Sequence, residues 1–248
     1  MERKNHATYL KVWETLSTQM NLNITNSMSD FELAAFNAFR TFYPGSSHTC
    51  CFFHLSQSIW RKVQGLGLES DYTNNDEIRT AIKSPAALAF CPEEEVISSF
   101  ELLEDRLNLS NFIQRVQSLY HYFEDAYIGR FNRRNRSIPP FPIPIWNQYN
   151  RVIENQPRTN NSVEGWHRAF SSIFNGPHLN SYNFIKKLIE EEALTHYRLN
   201  RIEVGDELKP SLNPKYIRIN QRIHQFVLSY NQHERLQYLN VLSDTFTF

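Results

Sequence analysis

The chain has 248 residues, 41% of them apolar and 14% aromatic, with only seven glycines, a composition that excludes a disordered chain and favours a helix-rich globular protein. Its 26 basic and 26 acidic residues cancel, but residues 1–129 carry a formal charge of −6 and residues 130–248 a charge of +6. The basic half could face a polyanion, or the two halves could pack against each other.

Cysteine usage and hydropathy exclude two further classes of protein. Three cysteines, two of them adjacent at Cys50 and Cys51, cannot form a disulfide framework, which favours a reducing compartment, the nucleus or the cytoplasm. No apolar run approaches the 18 residues of a membrane span, and the first residues lack the apolar core of a signal peptide, so we expect no membrane partner.

The first 70 residues alternate between helical and strand patterns. Apolar residues at helical spacing predict a helix from about Tyr9 to Met20, and "NITNSMSD" predicts a short strand that ends at Asp30. A helix over 31–43, a strand "HTCCFF" over 48–53 and a helix from His54 follow. Strands that alternate with helices predict a parallel pair.

The rest of the chain is predicted to be helical with one interruption. Residues 75–128 carry apolar side chains at steps of three and four, which is typical of helices. The segment from Ser137 to Trp146 contains four prolines, so it is predicted to be extended. Helices are predicted again from Ser162, over 182–201, and from Tyr216 to the end.

Asp30 stands where a strand gives way to a helix. A carboxylate at the carboxyl edge of a parallel sheet is a usual ligand-binding group. The alternative is a helix cap, because Ser29-Asp30-Phe31-Glu32 has the S-x-x-E pattern of a capping box and Asp30 would also favour the helix dipole.

Cys51 and His54 form a C-x2-H pair at the end of the second predicted strand. A thiolate and an imidazole at this spacing could supply half of a zinc site. No second such pair occurs, so the alternative is a buried cysteine beside a hydrogen-bonded histidine. The candidates for the remaining zinc ligands are His48, Cys50, His167 and His178.

The stretch "TNNSVEGWHRAF", Thr159 to Phe170, opens another predicted helix. Asn161 could cap it, with Glu164 reaching back to complete a capping box. Gly165 is unfavourable in a first helical turn and suggests a close approach by a backbone or a ligand. Glu164, His167 and Arg168 share one side of the helix, as a metal-facing carboxylate or a surface salt bridge would. The predicted buried stripe comprises Val163, Trp166, Phe170, Ile173 and Phe174.

An arginine run follows the helical middle of the chain. The stretch "GRFNRRNR", Gly129 to Arg136, could bind the phosphates of a nucleic acid or could be a solvated loop. Its arginines are Arg130, Arg133, Arg134 and Arg136.

Taken in order, several stretches resemble the transposase domain of Mutator-like elements (MULE transposases). They are "MSDFELAAFNAFRTFYPGSSHTCCFFHLSQSIWRKVQGLGL", "YFEDAYIGR", "PPFPIPIWNQY" and "PRTNNSVEGWH", and the resemblance covers about residues 5 to 200. It implies an α+β, mostly α fold: a partial ribonuclease-H-like core of two or three short strands with an all-helical insertion. The implied segments are 1–70 (partial core), 71–158 (insertion ending in the proline-rich stretch) and 159–248 (core helix and C-terminal helices).

The resemblance also implies a site. The family belongs to the DDE transposases, which cut and join DNA with two divalent ions held by three carboxylates. Its second acid matches Asp30, its third acid, in an N-N-x-x-E context, matches Glu164, and its C-x2-H motif matches Cys51 and His54. Mg²⁺, or Mn²⁺, is therefore the expected cofactor at Asp30 and Glu164, because Mg²⁺ prefers oxygen ligands. Cys51 and His54 would be structural or position DNA, with zinc there as a further option.

The implied partner is DNA, held by the four arginines of the run and by Arg168, in the nucleus or the cytoplasm, and homo-oligomers are compatible with the resemblance. The first acid of the family has no match, because the acids before Asp30 are Glu2 and Glu14, in or beside the opening helix. We therefore expect a transposon-derived, N-terminally truncated chain that is inactive as it stands. A non-catalytic DNA- or protein-binding remnant, or a non-functional gene fragment, are the alternatives.

Overall fold

The computed structural model describes residues 4–20, 22–174, 180–206 and 214–248. It is mostly helical with a few short strands, as predicted. The α-helices are α1 (His6–Gln19), α2 (Leu33–Phe42), α3 (Phe52–Gly65), α4 (Glu69–Asn74), α5 (Asp76–Ala87), α6 (Val96–Asn108), α7 (Ile113–Phe123), α8 (Ile143–Trp146), α9 (Tyr149–Ile153), α10 (Asn161–Ser172), α11 (Ser181–Glu203), α12 (Pro214–Leu228) and α13 (Arg235–Thr245). The strands are β1 (Asn26–Ser29), β2 (Ser47–Cys50), β3 (Phe131–Asn132) and β4 (Asn135–Arg136). In the described ranges no helix is both long and apolar enough to cross a lipid bilayer.

Strands β1 and β2 form the predicted parallel pair. Their register runs from Asn26 opposite Ser47 to Ser29 opposite Cys50, and α2 is the crossover between them. Helix α1 packs on α2, where the Trp13 ring meets the Phe39 ring edge-on at 5.3 Å. The N-terminal part of the chain is therefore a small α/β unit with Asp30 directly after β1.

A larger helical core follows. Helix α5 packs against α13, α7 and α6, and Leu119, Phe100 and Leu242 are fully buried among these helices. Trp146 is also fully buried, and its Nε1 donates hydrogen bonds to the carbonyls of Phe141 (3.0 Å) and Tyr127 (3.3 Å). These bonds satisfy the indole nitrogen and attach the proline-rich stretch to the core.

Three predicted boundaries are wrong. The second strand ends at Cys50, and helix α3 already begins at Phe52, so the second half of "HTCCFF" is helical. The proline-rich stretch is extended only to Pro142 and then turns into α8, because a proline is tolerated in a first helical turn. The final helix is interrupted between α12 and α13 by a 3₁₀ turn at Gln232–Glu234.

The chain divides into two compact units. The larger unit comprises Met1–Asn160 and Ile219–Phe248, and the smaller unit comprises Asn161–Arg218. The smaller unit contains α10, α11 and the start of α12, and none of its described residues is buried. The resemblance implies segment boundaries at residues 70 and 158. These boundaries separate an ancestral core from an insertion, and they stay a prediction.

Candidate metal site at the carboxyl end of strand β1

The parallel pairing fixes where Asp30 lies. Because β1 and β2 run in the same direction with Ser29 opposite Cys50, Asp30 and Cys51 both leave the sheet at its carboxyl edge. The Cys51 amide donates to the Ser29 carbonyl at 2.9 Å, which continues the ladder to that point. The Asp30 side chain is 57% exposed, so a ligand in solution can reach its carboxylate.

Two neighbours hold the Asp30 carboxylate. The Nδ2 of Asn160 donates a hydrogen bond to its Oδ1 at 3.0 Å, and the Nδ1 of His54 lies 3.3 Å from the same oxygen. Asn160 is 130 residues along the chain from Asp30, so this contact joins two distant motifs. The His54 side chain is 20% exposed, and its Nδ1 is buried beside Asp30.

The capping box predicted at Ser29 does not form. The helix it would cap begins at Leu33 after Glu32, which makes no side-chain cap, and Glu32 instead accepts a hydrogen bond from the Tyr9 hydroxyl. The Ser29 hydroxyl lies 2.8 Å from the Nε2 of His48, and the Ser27 hydroxyl lies 2.5 Å from its Nδ1. A contact with a residue on the neighbouring strand therefore replaces the local cap.

His48 is a structural group in this arrangement. Burial, aided by the nearby Arg40 guanidinium, lowers the pKa of His48 to about 4, so the ring is neutral at pH 7. A neutral ring whose two nitrogens meet two serines on β1 ties the strands together. Ser27 and Ser29 share one face of β1 because side chains alternate along a strand, so both can reach His48.

Cys51 and His54 occupy different positions from those predicted. Cys51 is the residue before helix α3, fully buried, and its carbonyl accepts from the His54 and Leu55 amides. His54 lies in the first turn of α3 with its ring toward Asp30. Burial raises the pKa of the neighbouring Cys50 thiol to about 12, so Cys50 is a thiol rather than a thiolate ligand at pH 7. A zinc ion at Cys51 and His54 stays a prediction.

Residues 158–160 are bonded to the start of α3. The Phe52 amide donates to the Arg158 carbonyl at 2.9 Å, and the Asn160 amide lies 3.5 Å from the Cys51 sulfur. The Arg158 guanidinium lies over the Phe52 ring, 5.6 Å from its centroid, and burial lowers the pKa of Arg158 to about 10. These contacts place Asn160 beside Asp30, where its side chain donates a hydrogen bond to the carboxylate. The sequence analysis did not predict this contact, although Asn160 is part of the N-N-x-x-E motif.

Glu164 lies on α10, in the smaller unit, and its side chain is partly exposed. His167 and Arg168 on the same helix are exposed. The separation of the Asp30 and Glu164 carboxylates, which lie in different units, stays a prediction. His178, a candidate zinc ligand, lies outside the described residues.

The predicted buried stripe of α10 is wrong, and of the two approaches predicted at Gly165 the structure contradicts one, that of a backbone. A Cβ added at Gly165 would meet no described atom within 4 Å, so no described backbone outside α10 approaches it closely, and the approach of a ligand stays a prediction. The stripe from Val163 to Phe174 is not buried: Val163, Trp166 and Ile173 are exposed, although the Phe184 ring of α11 contacts the Phe170 and Phe174 rings. The Trp166 ring does stack on the Phe170 ring at 5.2 Å.

The arginine run forms a β-hairpin rather than a loop. Strands β3 and β4 pair antiparallel, and Arg133 and Arg134 form the exposed turn between them. Arg130 forms an ion pair with Asp125. Arg136, whose side chain is 14% exposed, donates to Glu101 Oε1 and Glu124 Oε1, each at 2.8 Å. Arg130 and Arg136 are thus engaged within the protein, whereas the turn arginines face solvent.

Comparison of the chain with protein-family models, with curated proteins and with solved structures finds no match. The likeness to MULE transposases therefore rests on the motifs of this sequence.

Proposed function

We propose that this chain derives from a DDE-type DNA transposase of the Mutator-like class, whose ancestral activity was two-metal DNA cleavage and strand transfer on a ribonuclease-H-like core. One observation carries the proposal. The Asn160 side chain, part of the N-N-x-x-E motif, donates to the Asp30 carboxylate, which ends the "MSD" motif. The β1–α2–β2 crossover with an acid at its carboxyl edge supports the same class of fold.

Glu164 is proposed as the second metal-binding carboxylate. It follows Asn160 by four residues, and α10 begins at Asn161, so the chain from Asn160 to Glu164 spans about one helical turn, roughly 6 Å of rise. We expect the Asp30 and Glu164 carboxylates to lie about 4–8 Å apart, since paired catalytic ions are about 4 Å apart. Asp30 and Glu164 would hold the ions, which would activate the attacking oxygen and stabilise the leaving oxygen.

This chain is expected to cleave DNA poorly. Two carboxylates replace the usual three, and Glu14, a described acid before Asp30, is an exposed residue of α1. A missing anionic ligand weakens metal binding and misplaces the attacking oxygen, and a displacement of about 1 Å can cost about 10²-fold in rate.

A nicking assay tests this expectation. Supercoiled plasmid is incubated with the full chain and Mg²⁺ or Mn²⁺, beside Asp30→Asn and Glu164→Ala variants. The expected result is nicking no faster than in the protein-free control. Metal-dependent nicking that both variants abolish would show that the chain is competent as it stands. Nicking that neither variant affects would contradict the proposed role of the two acids.

DNA binding is proposed to use the turn arginines Arg133 and Arg134. Arg133 has φ +56°, a left-handed conformation that costs a non-glycine residue about 1 kcal/mol. A strained, exposed arginine at a hairpin tip suits a phosphate contact better than a role in stability. Arg168, exposed on α10, is proposed as a further phosphate contact.

Mobility shifts over a salt series test the DNA contact. Each phosphate contact that is removed should lower the slope of log K against log salt by about 0.9, so the double Arg133→Ala and Arg134→Ala variant should lose about two. Arg133→Asn is the matched control for folding, because asparagine tolerates a positive φ and removes the charge. Affinity that is independent of salt and of these substitutions would rule out the proposed contact.

A second candidate is a non-catalytic, protein-binding remnant. The observation that favours it is the exposure of large apolar side chains on α11, among them Phe184, Ile185 and Ile189. Exposed apolar patches of this kind mark protein-binding surfaces. A chain that forms a stable protein complex through α11 and has no salt-dependent affinity for DNA would favour this candidate over the first.

A further inference from the structure

The contact between Asp30 and His54 has the geometry of two ligands on one metal ion. Their Oδ1 and Nδ1 atoms are 3.3 Å apart, longer than the usual hydrogen bond between an N–H and an oxygen, about 2.9–3.0 Å. Two ligands with bonds of about 2.0–2.2 Å to one ion lie about 3.0–3.4 Å apart, depending on whether the ion is octahedral or tetrahedral. The observed separation lies in this range.

The local fold itself positions the Asp30 carboxylate and the His54 ring. His54 is fixed in the first turn of α3, whose start is bonded to β1 through the Cys51 amide and the Ser29 carbonyl. Asp30 is oriented by the Asn160 amide. A ligating carboxylate is commonly held by a hydrogen bond of this kind, which reduces the entropy lost when the ion binds.

We propose that Asp30 and His54 Nδ1 ligate the same divalent ion, so that the site prefers Mn²⁺ to Mg²⁺. Mg²⁺ takes oxygen ligands and keeps its waters, whereas Mn²⁺ accepts imidazole nitrogen as well as carboxylate oxygen. This pairs His54 with Asp30 in place of the C-x2-H pairing with Cys51. The inference rests on the proposed function only for the further ligand Glu164; Asp30 and His54 belong to the larger unit.

The alternative is an ordinary ion pair between a protonated His54 and Asp30, with no metal. The two arrangements differ in whether the Nδ1 of His54 can bind a metal ion. A ligating His54 must present an unprotonated Nδ1, so its nitrogen couples directly to the bound ion. An ion-paired His54 gives no such coupling.

Metal binding to the purified full chain tests the proposal. Mn²⁺ is titrated by the loss of its free-ion electron paramagnetic resonance signal, and Mg²⁺ by competition. We expect Mn²⁺ to bind at least tenfold more tightly than Mg²⁺. His54→Ala should lose at least tenfold in Mn²⁺ affinity while Mg²⁺ affinity changes little, and Asp30→Asn should lose both. His121→Ala, at an exposed histidine of α7, is the matched control and should bind as the unsubstituted chain does.

A spectroscopic readout keeps the test decisive if a variant folds poorly. Electron spin-echo modulation of bound Mn²⁺ should show coupling to one imidazole ¹⁴N in the unsubstituted chain and in His121→Ala. Absence of that coupling, unchanged Mn²⁺ affinity in His54→Ala, or no Mn²⁺ binding would each overturn the proposal. A Mn²⁺ site with this signature in a chain that neither cuts nor binds DNA would uphold the proposal while the proposed function fails.

Discussion

The two units of the molecule use similar apolar sequences in different ways. In the larger unit, Leu55, Val116 and Trp146 are fully buried in a core that several helices share. In the smaller unit, α11 also carries many large apolar residues, yet Ile189 and Tyr197 are more than half exposed. Amphipathic periodicity therefore predicts a helix but not its burial, since burial depends on a second apolar surface. The larger unit is stabilised by its own core, whereas the smaller unit's described residues leave much apolar surface in water.

Hydrogen exchange should show the largest difference between the units. We expect amides of α5 and α7 in the larger unit to exchange about 100-fold or more slowly than amides of α11, because buried helices open only with much of the core. Mass-spectrometric exchange at the peptide level measures this. Equal protection in α7 and α11 would mean that the smaller unit is as stable as the larger one and would break the comparison.

A matched pair of tryptophan substitutions tests the contrast between the two units further. Trp146→Ala removes a fully buried ring and two hydrogen bonds, so it should reduce the free energy of unfolding by about 3–5 kcal/mol. Trp166→Ala removes a ring that is 41% exposed and stacks on Phe170, together with one exposed hydrogen bond to Glu191, so its effect should be about 1 kcal/mol. Urea denaturation of both variants checks the ranking, and similar losses would contradict it.

Two glycines with positive φ offer the same contrast in the backbone. Gly129 has φ +89°, and a Cβ there would lie 1.8 Å from the Ser137 carbonyl oxygen, whereas Gly205, with φ +95°, has nothing described within 4 Å. Gly129→Ala should cost about 3 kcal/mol, because strain and a clash with backbone add. Gly205→Ala should cost about 1 kcal/mol from strain alone. Thermal unfolding of the two variants measures the difference, which should vanish if no clash occurs.

A smaller effect should appear with pH at Glu104 in the larger unit. Burial, and then the nearby Glu124 carboxylate, raises the pKa of Glu104 to about 7. The folded state then holds a proton that the unfolded state releases, so stability should fall as pH rises from about 4.5 to 7 and level off above. Glu104→Gln should stabilise the chain by about 1 kcal/mol at pH 8 and by nothing at pH 4.5. No gain at pH 8 would show that Glu104 ionises freely in the folded protein.

The sequence predicted the elements whose signals are local. Apolar spacing predicted α1, α5, α6, α7 and α11, and the strand–helix–strand rhythm predicted the parallel β1–β2 pair, because both patterns depend on neighbours a few residues apart. The capping box at Ser29 failed because His48, on the other strand, takes the serine hydroxyl. No local pattern contains that contact.

The residues of the candidate metal site could be predicted from the sequence, but the contacts between them could not. The sequence indicates Asp30 and His54 as candidates, but it pairs His54 with Cys51 because of their C-x2-H spacing. Helix α3 begins two residues before His54, which turns the ring toward Asp30. The hydrogen bond from Asn160 to Asp30 spans 130 residues and follows from tertiary structure that composition and spacing do not encode.

The most direct test of a shared metal site at Asp30 and Glu164 is a double-mutant cycle on Mn²⁺ affinity. It compares Asp30→Asn, Glu164→Gln and the double variant, with Glu203→Gln, an exposed acid of α11, as the matched control. If the two carboxylates hold one ion or a closely coupled pair, each single variant should weaken binding by about tenfold or more. The double variant should then lose much less than the product of the two losses. Independent, multiplicative losses, or unchanged affinity in Glu164→Gln, would contradict the shared site.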